Sequence, residues 1–245
     1  MFNLIMADLK IMFRYPETWL CIVGQLIFLA ATIAGYLPIA DISLIAEGYT
    51  IPYLMLLSIN VAYFMIVVLF IFAYDFEMGM IKNTLTNGVT RKTYFFARLI
   101  VAYIFTFMFY LVHIIGGILL ATLIHGSGAL NLATLAVPLL LQLLILFTIS
   151  TVGVGFVFAF RKSANFGTAF IFSILSPPFI FAMTTQIDNI IERLQDFELT
   201  TQLTRVANSQ LLEPSDIINI LLLSTVYLVV SVVVGIIIFE KVEIK

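Results

Sequence analysis

Six long apolar stretches dominate the sequence and limit what the chain can fold into. A helix that rises 1.5 Å per residue needs about 20 apolar residues to cross a hydrocarbon layer about 30 Å thick. Stretches of about that length or longer, without charge at their centres, cover residues 19–39, 51–74, 97–124, 133–160, 164–185 and 216–239. Because 62% of the residues are apolar and 11% are charged, a water-soluble core could not bury this surface. The sequence predicts an all-α, polytopic membrane protein with one transmembrane domain over residues 1–245.

The basic residues predict how these spans are oriented. Lys and Arg near the ends of spans tend to remain in the cytoplasm. If both termini are inside, ten of the twelve basic residues are cytoplasmic, and Arg193 and Arg205 are outside. An odd number of spans would break this sorting. We therefore expect a multi-pass protein of the plasma membrane with six spans and both termini cytoplasmic.

Residues 1–17 are expected to form an amphipathic elbow helix on the inner membrane surface. Polar Asn3, Lys10, Arg14 and Glu17 lie opposite an apolar stripe at helical spacing, which consists of Phe2, Ile5, Met6, Leu9 and Phe13. Pro16 is expected to end this helix before the first span. The alternative is that these residues simply begin the first span.

Two features mark the region around the fifth span. Pro177 and Pro178 remove backbone hydrogen bonds within it, so the span is expected to be kinked or shortened. The kink is either a flexible element beside a pathway or a static feature buried by its neighbours. Residues 186–214, which follow, are expected to form an extracellular helical segment.

The segment 75–96 between the second and third spans has the densest polar pattern on the inner side. Met78, Ile81 and Leu85 would form an apolar stripe on a short helix, Asn87 and Gly88 would stop that helix, and Thr90 would cap the next one. A helix–turn–helix at the cytoplasmic surface is therefore predicted. Asp75 and Glu77 need cationic partners there, and those available are Lys82, Arg91, Lys92 and Arg98.

Polar residues inside the predicted spans are uncharged, namely Gln25, Asn60, His113, Gln142 and Asn165. Four of them, with the two prolines, are candidates for a transport pathway or for helix packing: Asn60, His113, Gln142, Asn165, Pro177 and Pro178. An ion-driven carrier is expected to bury an acid near mid-span, and the absence of one argues against that class. Small residues such as Gly35 and Gly155 permit close helix contact, either between two chains or within one.

Sequence motifs for catalysis are missing. There is no Gly-x-x-x-x-Gly-Lys-Ser/Thr loop for phosphate and no Gly-x-Ser-x-Gly elbow. His113 and His125 do not have the spacing of metal ligands, and Cys21 is the only cysteine. We therefore expect no enzyme activity, no metal and no cofactor in this chain.

The loop sequence resembles that of a known family. The pattern Phe76-Glu77-x-Gly79-x-Ile81-Lys82-Asn83-x-Leu85-x-x-Gly88-x-x-Arg91-x-x-Tyr94, after the second of six spans and an N-terminal elbow, is similar to the first cytoplasmic loop of ABC-2-type permeases. The similarity is greatest to the Gram-positive subgroup tied to bacitracin and lantibiotic resistance and to the export of toxin peptides.

This resemblance implies a type V exporter-like fold and a function. The chain would be the permease subunit of a bacterial ABC exporter that works as a homo- or heterodimer with two cytoplasmic ATPase subunits, which hold ATP and Mg²⁺. The cargo would be an amphipathic peptide or a lipid, and no nucleic acid is involved. The loop would be the coupling helix that docks on the ATPase, through Glu77, Met78, Gly79, Ile81, Lys82, Asn83, Leu85, Gly88 and Arg91. The alternatives are an ion-coupled secondary transporter and a sensor or scaffold subunit that transports nothing.

Overall fold

A computed structural model describes residues 1–33, 59–125, 132–160, 197, 199–207 and 214–241. The described residues form helices and connecting turns, with no strand among them. The predicted fifth span 164–185, with Asn165, Pro177 and Pro178, lies outside the described residues, as does Gly35. The helices, numbered along the chain, are α1 Phe2–Met12, α2 Pro16–Ile33, α3 Ile59–Glu77, α4 Met80–Thr86, α5 Arg91–His125, α6 Leu132–Phe160, α7 Leu199–Ala207 and α8 Pro214–Lys241.

Three of the described helices are long and apolar enough to cross a membrane. The qualifying parts are Arg91–Leu120 of α5, Ala136–Phe160 of α6 and Pro214–Lys241 of α8. A shorter apolar helix covers Pro16–Ala31 of α2. The described residues are all-helical, and helices of this kind are consistent with a membrane protein. The prediction of six spans is not confirmed, because the described residues contain three such helices.

The N-terminal segment forms a separate helix, α1, that meets α2 at a fixed corner. Pro16 is the first residue of α2, a position where its missing N–H costs nothing. Thr18 Oγ1 donates to the carbonyl oxygen of Met12 at 2.8 Å, and Trp19 Nε1 donates to that of Phe13 at 2.9 Å. These bonds satisfy carbonyl groups at the end of α1, so the corner is a defined structure.

Helix α6 is the most buried of the three candidate spans and contacts α3, α5, α7 and α8. Of its most apolar stretch, 56% is buried, against 17% for that of α8. Helix α8 is therefore peripheral and leaves most of its apolar surface uncovered by the described chain. It approaches α6 closely at Gly155 and Gly235, so Gly155 packs against α8 of the same chain.

An aromatic cluster joins α3, α5, α6 and α8 at one end of the bundle. The rings of Phe158 and Phe239 meet edge to face with centroids 4.6 Å apart, and Phe76 stands at 90° to Phe158 at 5.2 Å. Tyr94 and Phe95 complete the cluster from α5. We call this part of the molecule, with α1 and α4 beside it, the loop end.

Candidate functional site

The predicted helix–turn–helix is present at the loop end. Helix α3 stops at Glu77, and Gly79 takes a left-handed φ of 68° before α4 begins. Helix α4 ends at Thr86, Gly88 has a φ of 88°, and its N–H donates to the carbonyl oxygen of Leu85 at 3.1 Å. Thr90 Oγ1 then accepts from the N–H of Thr93 at 3.2 Å, so Thr90 caps α5 as predicted.

Two of the three residues of the predicted apolar stripe, Ile81 and Leu85, are turned inward. Ile81 is only 1% exposed, Leu85 packs partly against the core, and Met78 lies in the turn before α4 rather than on it. This corrects the expectation that Met78, Ile81 and Leu85 project together towards a partner. The reason is that α4 is a seven-residue helix packed against α3, and burying Ile81 in the core cluster removes it from water.

The accessible surface of the loop consists of Met78 and of side chains outside the predicted stripe. Met78 and Met80 are 56% and 43% exposed, and Lys82 and Asn83 are exposed beside them. Next to this surface is an open cavity of about 430 Å³ between α4 and the start of α5, lined by Lys82, Leu85, Thr86, Val89, Thr90 and Arg91. We refer to Met78, Met80, Lys82 and Asn83 as the loop surface.

Arg91 anchors the start of α5 to the end of α8. Its Nη1 donates to the carbonyl oxygens of Phe239 at 2.8 Å and Glu240 at 2.6 Å. Carbonyls in the last turn of a helix have no partner within the helix and carry partial negative charge, so a cation fits there. Since its Nη1 is bound within the chain, Arg91 positions the loop more than it presents a charge to a partner.

A charge cluster is buried where α1, α3 and α5 meet. Arg98 Nη2 lies 2.6 Å from Asp75 Oδ2, which confirms that Asp75 has a cationic partner and identifies it among the four candidates. The guanidinium also faces the rings of Phe72 and Tyr94, at 4.9 and 5.0 Å from their centroids. A planar, weakly hydrated guanidinium tolerates such an apolar setting better than an ammonium group would.

Asp8 of α1 is the second acid of this cluster. Its Oδ2 lies 3.5 Å from Arg98 Nε, and the side chain is 5% exposed. Burial raises the pKa of the Asp8 carboxyl above its ordinary value, an effect that Arg98 opposes and Asp75 reinforces. Burial likewise raises the pKa of Asp75, against the charge and the hydrogen bond of Arg98. Two acids thus share one arginine in a site largely closed to water.

A row of polar groups runs along the contact between α5 and α6. Tyr103 and Thr151 oxygens are 2.6 Å apart, as are those of Thr106 and Ser150. Tyr110 donates to the carbonyl oxygen of Leu139 at 3.0 Å. This row, Tyr103, Thr106, Tyr110, Ser150 and Thr151, links the two helices through hydrogen bonds in an apolar setting.

Three of the residues predicted to line a pathway or pack helices, Asn60, His113 and Gln142, lie within the described helices. His113 and Gln142 are fully buried in the bundle, where Gln142 Oε1 lies 3.3 Å from the Tyr110 hydroxyl. Gln25 donates to the carbonyl oxygen of Phe109 at 3.0 Å and so ties α2 to α5. Asn60 lies in the first turn of α3, in a part whose side chains are outside the described set. His113 and Gln142 therefore belong to the packed interior of the described residues.

The sequence reasoning missed Asp8 and the polar row. Asp8 falls three residues after Ile5 and four before Met12, so it lies on the same face of α1 as these apolar residues. An acid on an apolar helix face is the feature of the sequence that could have indicated a buried charge. Tyr103, Thr106 and Tyr110 recur at helical spacing along the predicted third span. Their alignment with hydroxyls of α6 required the structure.

Comparisons with known proteins add no identification. The sequence matches no protein-family model, and no curated protein is significantly similar to it.

Proposed function

We propose that this chain is the transmembrane permease subunit of an ABC exporter, driven by separate ATPase subunits on the cytoplasmic side. The observation that carries the proposal is the way the helix–turn–helix is tied to the bundle. Its accessible residues sit on α4 and the preceding turn, while Arg91 and the Asp75–Arg98 pair fix its ends to α8, α3 and α5. A push on such a loop would be passed to several long helices as a rigid-body movement.

The accessible side chains of the loop are the ones proposed to meet the ATPase. Met78 and Met80 would supply the apolar contact, since methionine side chains adapt to irregular grooves, and Lys82 would pair with an acid on the partner. Ile81 and Leu85 would act indirectly, by holding α4 on the bundle. Gly79 and Gly88 would set the turns at its two ends.

The cargo proposed is an amphipathic peptide or a lipid. The polar row on α5 and α6 consists of hydroxyl groups, and Gln25, His113 and Gln142 add uncharged polar groups to the interior. These groups are packed within the described bundle, so the proposal is that movement of the helices opens a pathway whose lining, apolar with uncharged polar groups, suits a molecule that carries both apolar and hydrogen-bonding surface. The permease would work as a dimer in a bacterial plasma membrane.

Co-expression with an ATPase encoded beside this chain tests the proposal. A stable complex with cargo-dependent ATP turnover is expected, and Met78→Ser with Met80→Ser should weaken the complex and lower that turnover. Leu123→Ser is the control, because Leu123 is a strongly exposed apolar residue towards the opposite end of α5. Failure to form a complex, or equal effects of the loop and control variants, would contradict the proposal.

One observation favours the ion-coupled alternative. Asp8 and Asp75 are buried acids, which weakens the argument that this chain lacks the groups an ion-driven carrier needs, although both lie at the loop end rather than at mid-span. Vesicles that contain this chain and no ATPase separate the two functions. Cargo movement under an imposed proton gradient alone would support the carrier and exclude dependence on an ATPase.

A further inference from the structure

We propose that Asp8, Asp75 and Arg98 form a proton-binding site, in which Asp8 carries a proton while α1 is docked against α5. This inference concerns the joint between α1 and the bundle, and it does not depend on the transport function proposed above.

The number of charges in the cluster is the first argument. If Asp8 and Asp75 were both ionised, the site would hold two negative charges and one positive charge, a net charge of −1. The exposed fractions of Asp8, Asp75 and Arg98 are only 5%, 9% and 8%. A buried net charge is costly, and such sites reduce the cost by taking up or releasing a proton. One bound proton makes this cluster neutral.

The hydrogen-bond geometry shows which acid holds that proton. Asp75 receives a charge-assisted contact from Arg98 Nη2 at 2.6 Å, which favours its ionised form. The Nε atom of Arg98 has one hydrogen, and it is donated to the hydroxyl oxygen of Tyr94 at 3.1 Å. Asp8 Oδ2, 3.5 Å from that Nε, therefore receives no hydrogen bond from the described residues. The less stabilised carboxylate is that of Asp8.

The docking of α1 should consequently depend on pH. Among the described residues, the charged and titratable groups that face Asp8 are Asp75 from α3 and Arg98 and Tyr94 from α5. Since the pKa of Asp8 is raised in the folded protein, its contribution to docking is complete below its ordinary pKa near 3.8. That contribution is lost as the pH rises through the raised value, because ionisation then adds an unpaired negative charge.

Trp19 gives a direct readout of this joint. It is the only tryptophan, its ring is 6.3 Å from that of Phe13, and its Nε1 donates to the carbonyl oxygen of Phe13 at the corner between α1 and α2. The full-length protein in detergent is titrated from about pH 4 to about pH 9 while Trp19 fluorescence is recorded. A transition is expected in the wild type, with a midpoint above the ordinary aspartate value.

Asp8→Asn mimics the protonated acid and should remove the transition, leaving α1 docked throughout. Glu240→Gln is the control, because Glu240 pairs with Lys92 at 3.4 Å on the exposed surface and should leave the transition in place. A wild-type titration without a transition would overturn the proposal. So would an Asp8→Asn variant that follows the wild-type curve or fails to fold, because a neutral residue at this position should be accepted.

An infrared spectrum provides a second measurement on the wild type. A carbonyl-stretch band of a protonated carboxyl group should be lost as the pH rises through the midpoint of the Trp19 transition, and this titrating band should be missing from Asp8→Asn. Absence of the band from the wild type would overturn the proposal. Persistence of the band in Asp8→Asn with loss in Asp75→Asn would overturn the assignment of the proton to Asp8.

Discussion

Arg91 and Phe239 are joined by a hydrogen bond of 2.8 Å from guanidinium Nη1 to the main-chain carbonyl oxygen, and the guanidinium carbon lies 5.8 Å from the centroid of the Phe239 ring. One side chain at the start of α5 thereby holds both the backbone and the ring at the end of α8. The two helices are 148 residues apart in sequence at this point.

Replacement of Arg91 by Ala should destabilise the protein. Hydrogen bonds to a charged group contribute about 1.5–3 kcal/mol when they are buried, and partial exposure of Arg91 should reduce the loss to about 1 kcal/mol. Thermal unfolding in detergent measures the change. Lys92→Ala is the matched control, because its pair with Glu240 is exposed and should contribute less than about 0.5 kcal/mol. Equal losses in the two variants would show that the bonds of Arg91 do not stabilise the protein.

Gly235→Ala should destabilise the contact between α8 and α5. A Cβ at this position would lie 2.8 Å from Cε2 of Phe95, a fully buried ring whose centroid is 5.0 Å from that of Phe158. Overpacking costs about 1–3 kcal/mol, more than the gain of about 1 kcal/mol from replacing glycine by alanine in a helix. The free energy of unfolding is the measurement.

Gly155→Ala is the comparison for Gly235→Ala. Its Cβ would lie 3.4 Å from the carbonyl oxygen of Ser231, which is close to an ordinary contact, so the variant should be nearly neutral. If Gly155→Ala were the more damaging of the two, the close approach would have been assigned to the wrong glycine.

Thr106 and Ser150 should be energetically coupled. Their oxygens are 2.6 Å apart, and each also lies within hydrogen-bond distance of a carbonyl oxygen in its own helix, at 2.9 Å for Thr106 and 2.8 Å for Ser150. Because each hydroxyl has one hydrogen, one of them donates across the interface while the other donates to its own helix. A double-mutant cycle with Thr106→Val and Ser150→Ala should give a coupling of about 0.6 kcal/mol.

The control for that cycle is Thr122→Val combined with Ser150→Ala. Thr122 donates to the carbonyl oxygen of Ile118 within its own helix, so no coupling to Ser150 is expected. Additive effects of Thr106→Val and Ser150→Ala would mean that the hydroxyl contact contributes nothing.

Gly79→Ala should strain the turn between α3 and α4. A side chain in the left-handed region costs about 1–2 kcal/mol, and no atom lies within 4 Å of the new Cβ, so the effect comes from the backbone alone. Gly79→Asn should cost less, because asparagine tolerates this conformation. Unfolding free energies rank the variants, and an alanine variant as stable as the wild type would refute the argument.

The boundaries of local structure at the loop end could be predicted from the sequence because they depend on neighbouring residues. Gly88 after α4 and Thr90 before α5 act through their own backbone or through side-chain bonds a few residues away. Pro16, which is expected from the sequence to end the N-terminal helix, instead begins α2, because α1 already ends at Met12. The need of Asp75 for a cation was predictable for the same reason, since a charge at a span end requires a partner.

The direction in which α4 faces could not be predicted. The spacing of Ile81 and Leu85 shows that an apolar face exists, but whether that face meets the same chain or another depends on how α4 lies on the bundle. The inward position of Asp8 follows from the docking of α1 on α5, which is a contact between distant segments. A single sequence carries little information about long-range contacts of this kind.

Helix α5 is 35 residues long, which corresponds to about 52 Å at 1.5 Å per residue. Near its start, Arg91 binds the end of α8 and Arg98 binds Asp75 of α3. Near its far end, at Gly116, it passes so close to Leu26 of α2 that an added Cβ would lie 2.7 Å from a methyl group. A tilt of about 5° at the loop end would move the opposite end by about 4–5 Å over this length. If α5 tilted as a rigid body about its contacts at the loop end, a small rotation there would therefore appear as a side-chain-sized displacement on the other side of the bundle.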